Sequence, residues 1–181
     1  MERRTIPVVD AAGADLSALG SMIGARTDVA PRSSSFYGDA VRLWPAHFQS
    51  DADTTFVVSR ITPRPNEVVY LERHFKHTQA FIPLAGKPFI AVMAPPTGDG
   101  LPDPAAAKAY RFDGSAGFSM HVGTWHEFPY AIEPDTDVIV VLRHETNRNL
   151  QAIADGEALG ADLEKRNLKA RLGVTLTFDP R

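Results

Sequence analysis

The sequence predicts an all-β protein built as a barrel or jelly roll, and three observations carry that prediction. Runs rich in β-branched and aromatic residues recur at Thr55 to Ile61, Glu67 to His74, Gln79 to Leu84, Pro88 to Ala94, Phe118 to His121 and Asp137 to Arg143. Turn clusters punctuate them, among them Pro63-Arg64-Pro65-Asn66, Ala85-Gly86-Lys87 and Thr97-Gly98-Asp99-Gly100. The 181 residues, 44% of them hydrophobic, suffice for one sizeable core and not comfortably for two. One domain is therefore expected over residues 1–181, with the barrel core at about 40–145, since many short, evenly punctuated strands favour a barrel or double sheet.

Ahead of the strands, Leu16, Leu19 and Ile23 fall at helical spacing between Asp10 and Gly24, which predicts a short amphipathic helix capping a barrel end. Ser33-Ser34-Ser35, flanked by Pro31 and Gly38, reads as a loop, after which Val41 and Leu43 alternate with polar neighbours as an early strand does. Past Arg143 the pattern changes. Leu150, Ile153, Ala154, Leu159, Leu163, Leu168 and Leu172 recur at roughly helical intervals, with Glu164-Lys165-Arg166 exposed between them. A helical tail over about 147–172 is expected, docked on the barrel or on a partner subunit. A break near Gly156 is expected, because a glycine inside a helix costs about 1 kcal/mol relative to alanine.

A formal net charge of -3 with scattered Lys and Arg excludes the electrostatic footprint of a nucleic-acid or anionic-membrane partner. No cysteine is present, so disulfides and thiolate zinc sites are out of reach, and any metal must sit on His, carboxylate or amide ligands. The charged start Met1-Glu2-Arg3-Arg4 precedes an apolar run, Ile6 to Val9, too short for a signal peptide or a membrane span. A cytoplasmic location is the expectation.

The stretch from Leu71 to Gly86 carries the most chemical information. In a strand, Glu72 and His74 lie two apart and point to one face, so a carboxylate and an imidazole converge on a point inside a barrel. Phe75 to Thr78 turns the chain, Gln79 opens the return strand with an amide oxygen that can reach the same point, and Gly86 makes the next hairpin. Further on, His121-Val122-Gly123-Thr124-Trp125-His126 supplies two more imidazoles, with Glu127 beside them. His77 falls in the turn and reads as solvated. Trp125 and Phe81 read as core or pocket wall, because large aromatics mainly contribute buried area.

These residues occupy the positions of the two cupin motifs. A cupin's first motif has two histidines two apart, then a glutamate and a glycine; Glu72, His74, Gln79 and Gly86 stand at those places, with Glu72 replacing a histidine and Gln79 the glutamate. The Pro-x-Gly-x-x-His core of the second motif is matched from His121 to His126, with His121 in place of the proline. Leu-Glu-Arg-His, Thr-Gln-Ala-Phe-Ile-Pro and Trp-His occur together here, and in this combination the chain resembles the ureidoglycolate lyase family over roughly residues 55–143. The resemblance implies a cupin-type double-stranded β-helix, a homodimer, a place in purine and allantoin breakdown, and cleavage of ureidoglycolate to glyoxylate and urea. It also implies a site around Glu72, His74, Gln79, His121 and His126.

Glu72, His74, Gln79 and His126 are the expected ligands of a divalent metal such as nickel, manganese, iron or zinc. His121 is the first expected acid–base residue, because an imidazole titrates near neutrality, and Glu127 the second. Gln79 and Trp125 are expected to touch substrate. Its carboxylate calls for a guanidinium, with Arg60 favoured over Arg73 and Arg143. Two other readings use the same scaffold: an enzyme acting on a related amido- or hydroxy-acid, or a small-molecule-binding module without turnover.

Overall fold

In the computed structural model, which describes residues 2–25, 29–153 and 156–180, the chain is mostly β. The first strands are β1 (Glu2–Thr5), β2 (Val8–Asp10), β3 (Gly20–Ile23), β4 (Arg32–Ser34), β5 (Gly38–Leu43) and β6 (Thr54–Ile61). The central ones are β7 (Glu67–Val68), β8 (Tyr70–His74), β9 (Gln79–Pro83), β10 (Phe89–Ala94), β11 (Lys108–Phe112) and β12 (Gly117–Met120). There follow β13 (Trp125–His126), β14 (Tyr130–Ala131), β15 (Thr136–Arg143), helix α1 (His144–Ala152), β16 (Ala158–Leu159), β17 (Leu163–Asn167), helix α2 (Leu168–Leu172) and β18 (Val174–Thr177).

Two sheets face each other across the main core. One has the order β16-β17-β8-β13-β10-β11-β2, with β14 also paired to β10; the other has the order β3-β12-β9-β15-β6. Strand β10 shows why its sequence is an unbroken apolar run. Phe89, Ala91 and Met93 face the core shared with Phe81, Phe118, Val138 and Val140 of the opposite sheet. Ile90, Val92 and Ala94 face a second core with Leu71, Trp125, Tyr130, Leu168 and Leu176. A strand covered on both faces has no side on which a polar residue is tolerated. Each fully buried aromatic here, such as Phe89 or Phe118, contributes on the order of 1.5–3 kcal/mol through its lost contact with water. The turn that carries the chain from β9 in the smaller sheet to β10 in the larger one, in place of the hairpin expected at Gly86, runs through Ala85 and Gly86, both at positive φ, a backbone that glycine adopts without strain.

The helix expected between Asp10 and Ile23 does not form. A short 3-10 turn covers Ala11–Gly13, and residues 20–23 are strand β3, paired antiparallel with β12. Leu16 and Leu19 are buried in the main core all the same, so the apolar spacing reported burial and not helical period. Gly20 permits this pairing, since a Cβ there would lie 2.1 Å from the Ser119 carbonyl oxygen.

The helical tail is likewise corrected. Helix is confined to α1 and the five-residue α2, and Leu163 to Asn167 form a strand zipped antiparallel along β8. Glu164, Lys165 and Arg166 are thus half-buried sheet residues and not an exposed helical face. The free edge of β8 offers a ladder of backbone hydrogen bonds, which outweighs the few tenths of a kcal/mol by which local propensity separates helix from strand. Ala154, one of the apolar positions of the expected helix, lies outside the described residues. Strands β11 and β18 were not anticipated either; the first pairs with β10 and the second with β1 and β7.

Candidate active site

Register builds the site. Across the larger sheet, Lys165 of β17 pairs with Glu72 of β8, Glu72 pairs with His126 of β13, and His126 pairs with Met93 of β10. Directly opposed residues share a face, so one row of side chains runs Lys165, Glu72, His126, Met93 toward the opposite sheet. His74, two residues after Glu72, joins that face. Its backbone carbonyl also accepts from Gly123 N at 2.8 Å, which ties the turn before His126 to β8.

Glu72 Oε1 lies 3.7 Å from His74 Nε2 and 3.6 Å from His126 Nε2. One ligand atom from each of these three residues falls within 4.8 Å of the others. His126 Nδ1 sits 2.9 Å from the Thr124 carbonyl oxygen, which only accepts, so Nδ1 donates there and Nε2 is the ring nitrogen left near Glu72. An imidazole nitrogen and a carboxylate oxygen this close without a hydrogen bond between them suit a bound cation. Both ring nitrogens of His74, His126 Nε2 and Gln79 Oε1 are buried without a hydrogen-bond partner. Such orphaned groups each cost about 1–3 kcal/mol unless something ligates them. The donor set of one carboxylate, two imidazoles and a nearby amide fits a borderline divalent metal.

The cluster opens on a cavity of about 290 Å³. Tyr70, Glu72, His126, Glu127, Phe128 and Lys165 line it from the larger sheet and the segment after β13; Val57, Ser59, Gln79, Val140 and Leu142 line it from the smaller sheet; Asn147, Leu150 and Gln151 of α1 complete it. Burial, and then the charge of Glu72, pushes the Glu127 carboxyl above its ordinary value. Glu127 Oε1 accepts from Phe128 N at 3.0 Å and stands 3.7 Å from Arg64. Burial first, and then repulsion from His126 and His77, holds His74 well below the usual imidazole range. His77 is not solvated as its turn position suggested. It is 1% exposed and stacked on His74 with ring centroids 4.7 Å apart, and burial lowers its pKa to about 4.

Three expected site residues meet a different placement. Arg60 alternates outward on β6, between the cavity-facing Ser59 and the buried Ile61, and donates from Nε and Nη2 to Asp137 at 2.8 Å each. It therefore cannot clamp a substrate in the cavity. Trp125 precedes His126 on the same strand and so points to the opposite face, into the second core, where its Nε1 donates to Thr97 Oγ1 at 2.8 Å. His121 is not among the cavity-lining residues; its ring lies beside His47, with centroids 6.1 Å apart. Arg73 and Arg143 are paired with Glu164 and with Asp51. Phe81 is core, edge-on to His126 and Phe128. The cavity residues missed from sequence include Lys165, Tyr70, Asn147 and Gln151. Tyr70 was findable, because it stands two before Glu72; Lys165 was hidden by the helical reading of its segment.

A mostly β chain thus gathers a carboxylate and two imidazoles beside a half-open, partly polar cavity large enough for a small molecule. The family model described as ureidoglycolate lyase matches residues 19–161, and the chain belongs to that family. Among curated proteins, ureidoglycolate lyase of Pseudomonas syringae pv. tomato is 41% identical over 87 residues, 48% of this chain and 50% of that protein. Ureidoglycolate lyase of Azotobacter vinelandii is 35% identical over 106 residues, 59% of this chain and 63% of that protein. The matched stretch thus spans about half to three-fifths of these relatives' length. Among solved structures, Streptomyces albus HEPD with substrate 2-hydroxyethylphosphonate and Fe(II) bound aligns at a TM-score of 0.35 and 14% identity, over 76% of this chain and 28% of that one.

Proposed function

We propose that this protein is a lyase that cleaves ureidoglycolate to glyoxylate and urea. The observation that carries the reading is that the family match over residues 19–161 contains the whole Glu72, His74, Gln79 and His126 cluster and the Glu127 carboxyl beside it. The finer expectations belong to the same reading: one cupin-type barrel domain, a homodimer, and a cytoplasmic enzyme of purine catabolism that takes a small molecule and no nucleic-acid or membrane partner.

The substrate carries a hydroxyl, a carboxylate and a ureido nitrogen on one carbon. Cleavage removes the hydroxyl proton, forms the carbonyl of glyoxylate, breaks the carbon–nitrogen bond and returns a proton to the departing urea nitrogen. Glu127 is the side chain suited to both proton transfers, since it lines the cavity and burial, followed by the charge of Glu72, raises its carboxyl above the ordinary value, which favours its taking up a proton and handing it on. It replaces His121 in that role because it lines the cavity. Glu72, His74 and His126 would hold a divalent ion, with Gln79 beside them. When bound, such an ion supplies Lewis acidity that favours ionisation of the substrate hydroxyl. Phe128, Val140 and Leu142 make part of the wall apolar and limit water near the reacting carbon.

The test is incubation of the purified protein with racemic ureidoglycolate, following glyoxylate and urea with and without a chelator. Equimolar glyoxylate and urea should appear well above the rate without protein, and chelation should abolish the gain until a divalent ion is restored. Product formation no faster than in buffer, with nickel, manganese, iron and zinc each supplied, would overturn the reading.

A further inference from the structure

We infer that Lys165 binds the substrate's carboxylate, which makes strand β17 the element that selects small 2-hydroxy carboxylates for this cavity. The inference rests on the proposed reaction for the identity of the substrate, while its own support is geometric. Lys165 opposes Glu72 in the antiparallel ladder and lines the cavity on the same face as the acid and His126. It is the one Lys or Arg among the described residues that does so. Its strand neighbours point the other way and are committed there: Glu164 accepts from Arg73 and Arg166, and Arg166 also donates to the Gly100 carbonyl. Lys165 makes no ion pair among the described residues. Its Nζ lies 5.0 Å from the centroid of the Tyr70 ring, whose face holds a cation while leaving its N–H donors open to a ligand.

Charge explains why the site needs this group. Glu72 and Glu127 both line the cavity, and their two carboxylates would offset much of the charge of an ion held at Glu72, so an anion entering beside them gains from a further cation. Arg60 is locked on Asp137 outside, Arg73 lies behind the sheet, and Arg143 pairs with Asp51. Asn147 and Gln151, one turn apart on α1, add carboxamides to the lining, and their donors and acceptors match a ureido group. Lys165 also lies beyond the stretch that the family model matches, so this selectivity element belongs to the C-terminal part of the chain.

The experiment compares the metal-supplied wild type with Lys165→Met and Lys165→Arg, by kinetics on ureidoglycolate and by calorimetric binding of glycolate and of neutral glycolamide. Lys165→Met should raise KM and weaken glycolate binding by about tenfold to a hundredfold, the scale of one charge-assisted hydrogen bond. Glycolamide binding should be unchanged, and Lys165→Arg should recover part of the loss. Unchanged KM and glycolate affinity in Lys165→Met would overturn the inference. So would a fall in kcat alone, because that would tie Lys165 to Glu127, whose carboxyl feels its charge. Absence of turnover by wild type would sink the proposed reaction and leave the glycolate and glycolamide comparison to decide Lys165 by itself. Failure of wild type to prefer glycolate over glycolamide would sink the inference even if turnover is found.

Discussion

Strand β8 buries polar groups on both of its faces, and the two sets are treated differently. On one face Arg73 donates to Glu164 at 2.9 Å and to the Thr97 carbonyl at 2.6 Å, with its guanidinium over the Trp125 ring at 4.4 Å. On the other face His74 has no partner for either ring nitrogen, and His126 Nε2 and Gln79 Oε1 beside it are also unpartnered. Burial alone therefore does not mark a functional residue. The informative difference is whether the buried polar atoms find protein partners, because a satisfied cluster holds the fold while an unsatisfied one is kept at a cost in stability.

That contrast is open to direct attack. The largest expected effect is on stability from the satisfied face. Arg73→Met leaves the Thr97 carbonyl without this donor and Glu164 with the Arg166 guanidinium alone, and should cost about 3 kcal/mol, the lower end for breaking a buried ion pair because Arg166 still meets the carboxylate. At this chain length that is roughly 6–12 °C in the thermal midpoint. Turnover should suffer only in proportion to protein lost by unfolding, and a midpoint within a degree of wild type would show the cluster to be ornamental.

The unsatisfied face should respond in the opposite sense. Glu72→Ala and His126→Ala should each cut turnover of ureidoglycolate about a hundredfold, the scale of removing one catalytic electrostatic group. Their metal-free thermal midpoints should stay level or rise, since His126 Nε2 is buried without a protein partner and the half-buried Glu72 carboxylate stands 3.6 Å from it, beyond hydrogen-bond reach. Near wild-type rates in both variants would remove the site assignment. A large drop in both metal-free midpoints would mean that this face, too, serves the fold.

The smallest effect sharpens the role of solvent. Arg171 grips Glu157 as Arg73 grips Glu164, with Nη2 at 2.6 Å, but Arg171 is about half exposed. The Arg171 guanidinium, followed by the Asn167 backbone N–H, lowers the Glu157 carboxyl from 4.5 to about 2. A folded-state pKa below the unfolded one stabilises the protein above about pH 4.5, and that contribution fades as pH falls toward 2. Because water screens the pair, Glu157→Gln should cost under about 1 kcal/mol at neutral pH and nothing measurable near pH 2. Unfolding curves of variant and wild type at both pH values check this, and a neutral-pH loss as large as that of Arg73→Met would erase the distinction between exposed and buried pairs.

The sequence by itself determined the β class, most central strands and the pairing of Glu72 with His74 on one face. Each of these follows from local chemistry: β-branched content, turn residues and the two-residue repeat of a strand. Alternation likewise says that Arg60 and Ser59 face opposite ways, and that Trp125 and His126 do. It does not say which way is inward. Only the tertiary structure decided that Ser59 and His126 face the cavity, that Gly20 to Ile23 pair with β12, and that the segment expected to be helix lays Lys165 opposite Glu72. The reason is that backbone hydrogen bonds between distant strands are blind to side-chain identity. Which edges meet, and in what register, is fixed by the packing of the whole chain, while any single stretch of sequence encodes only its own period.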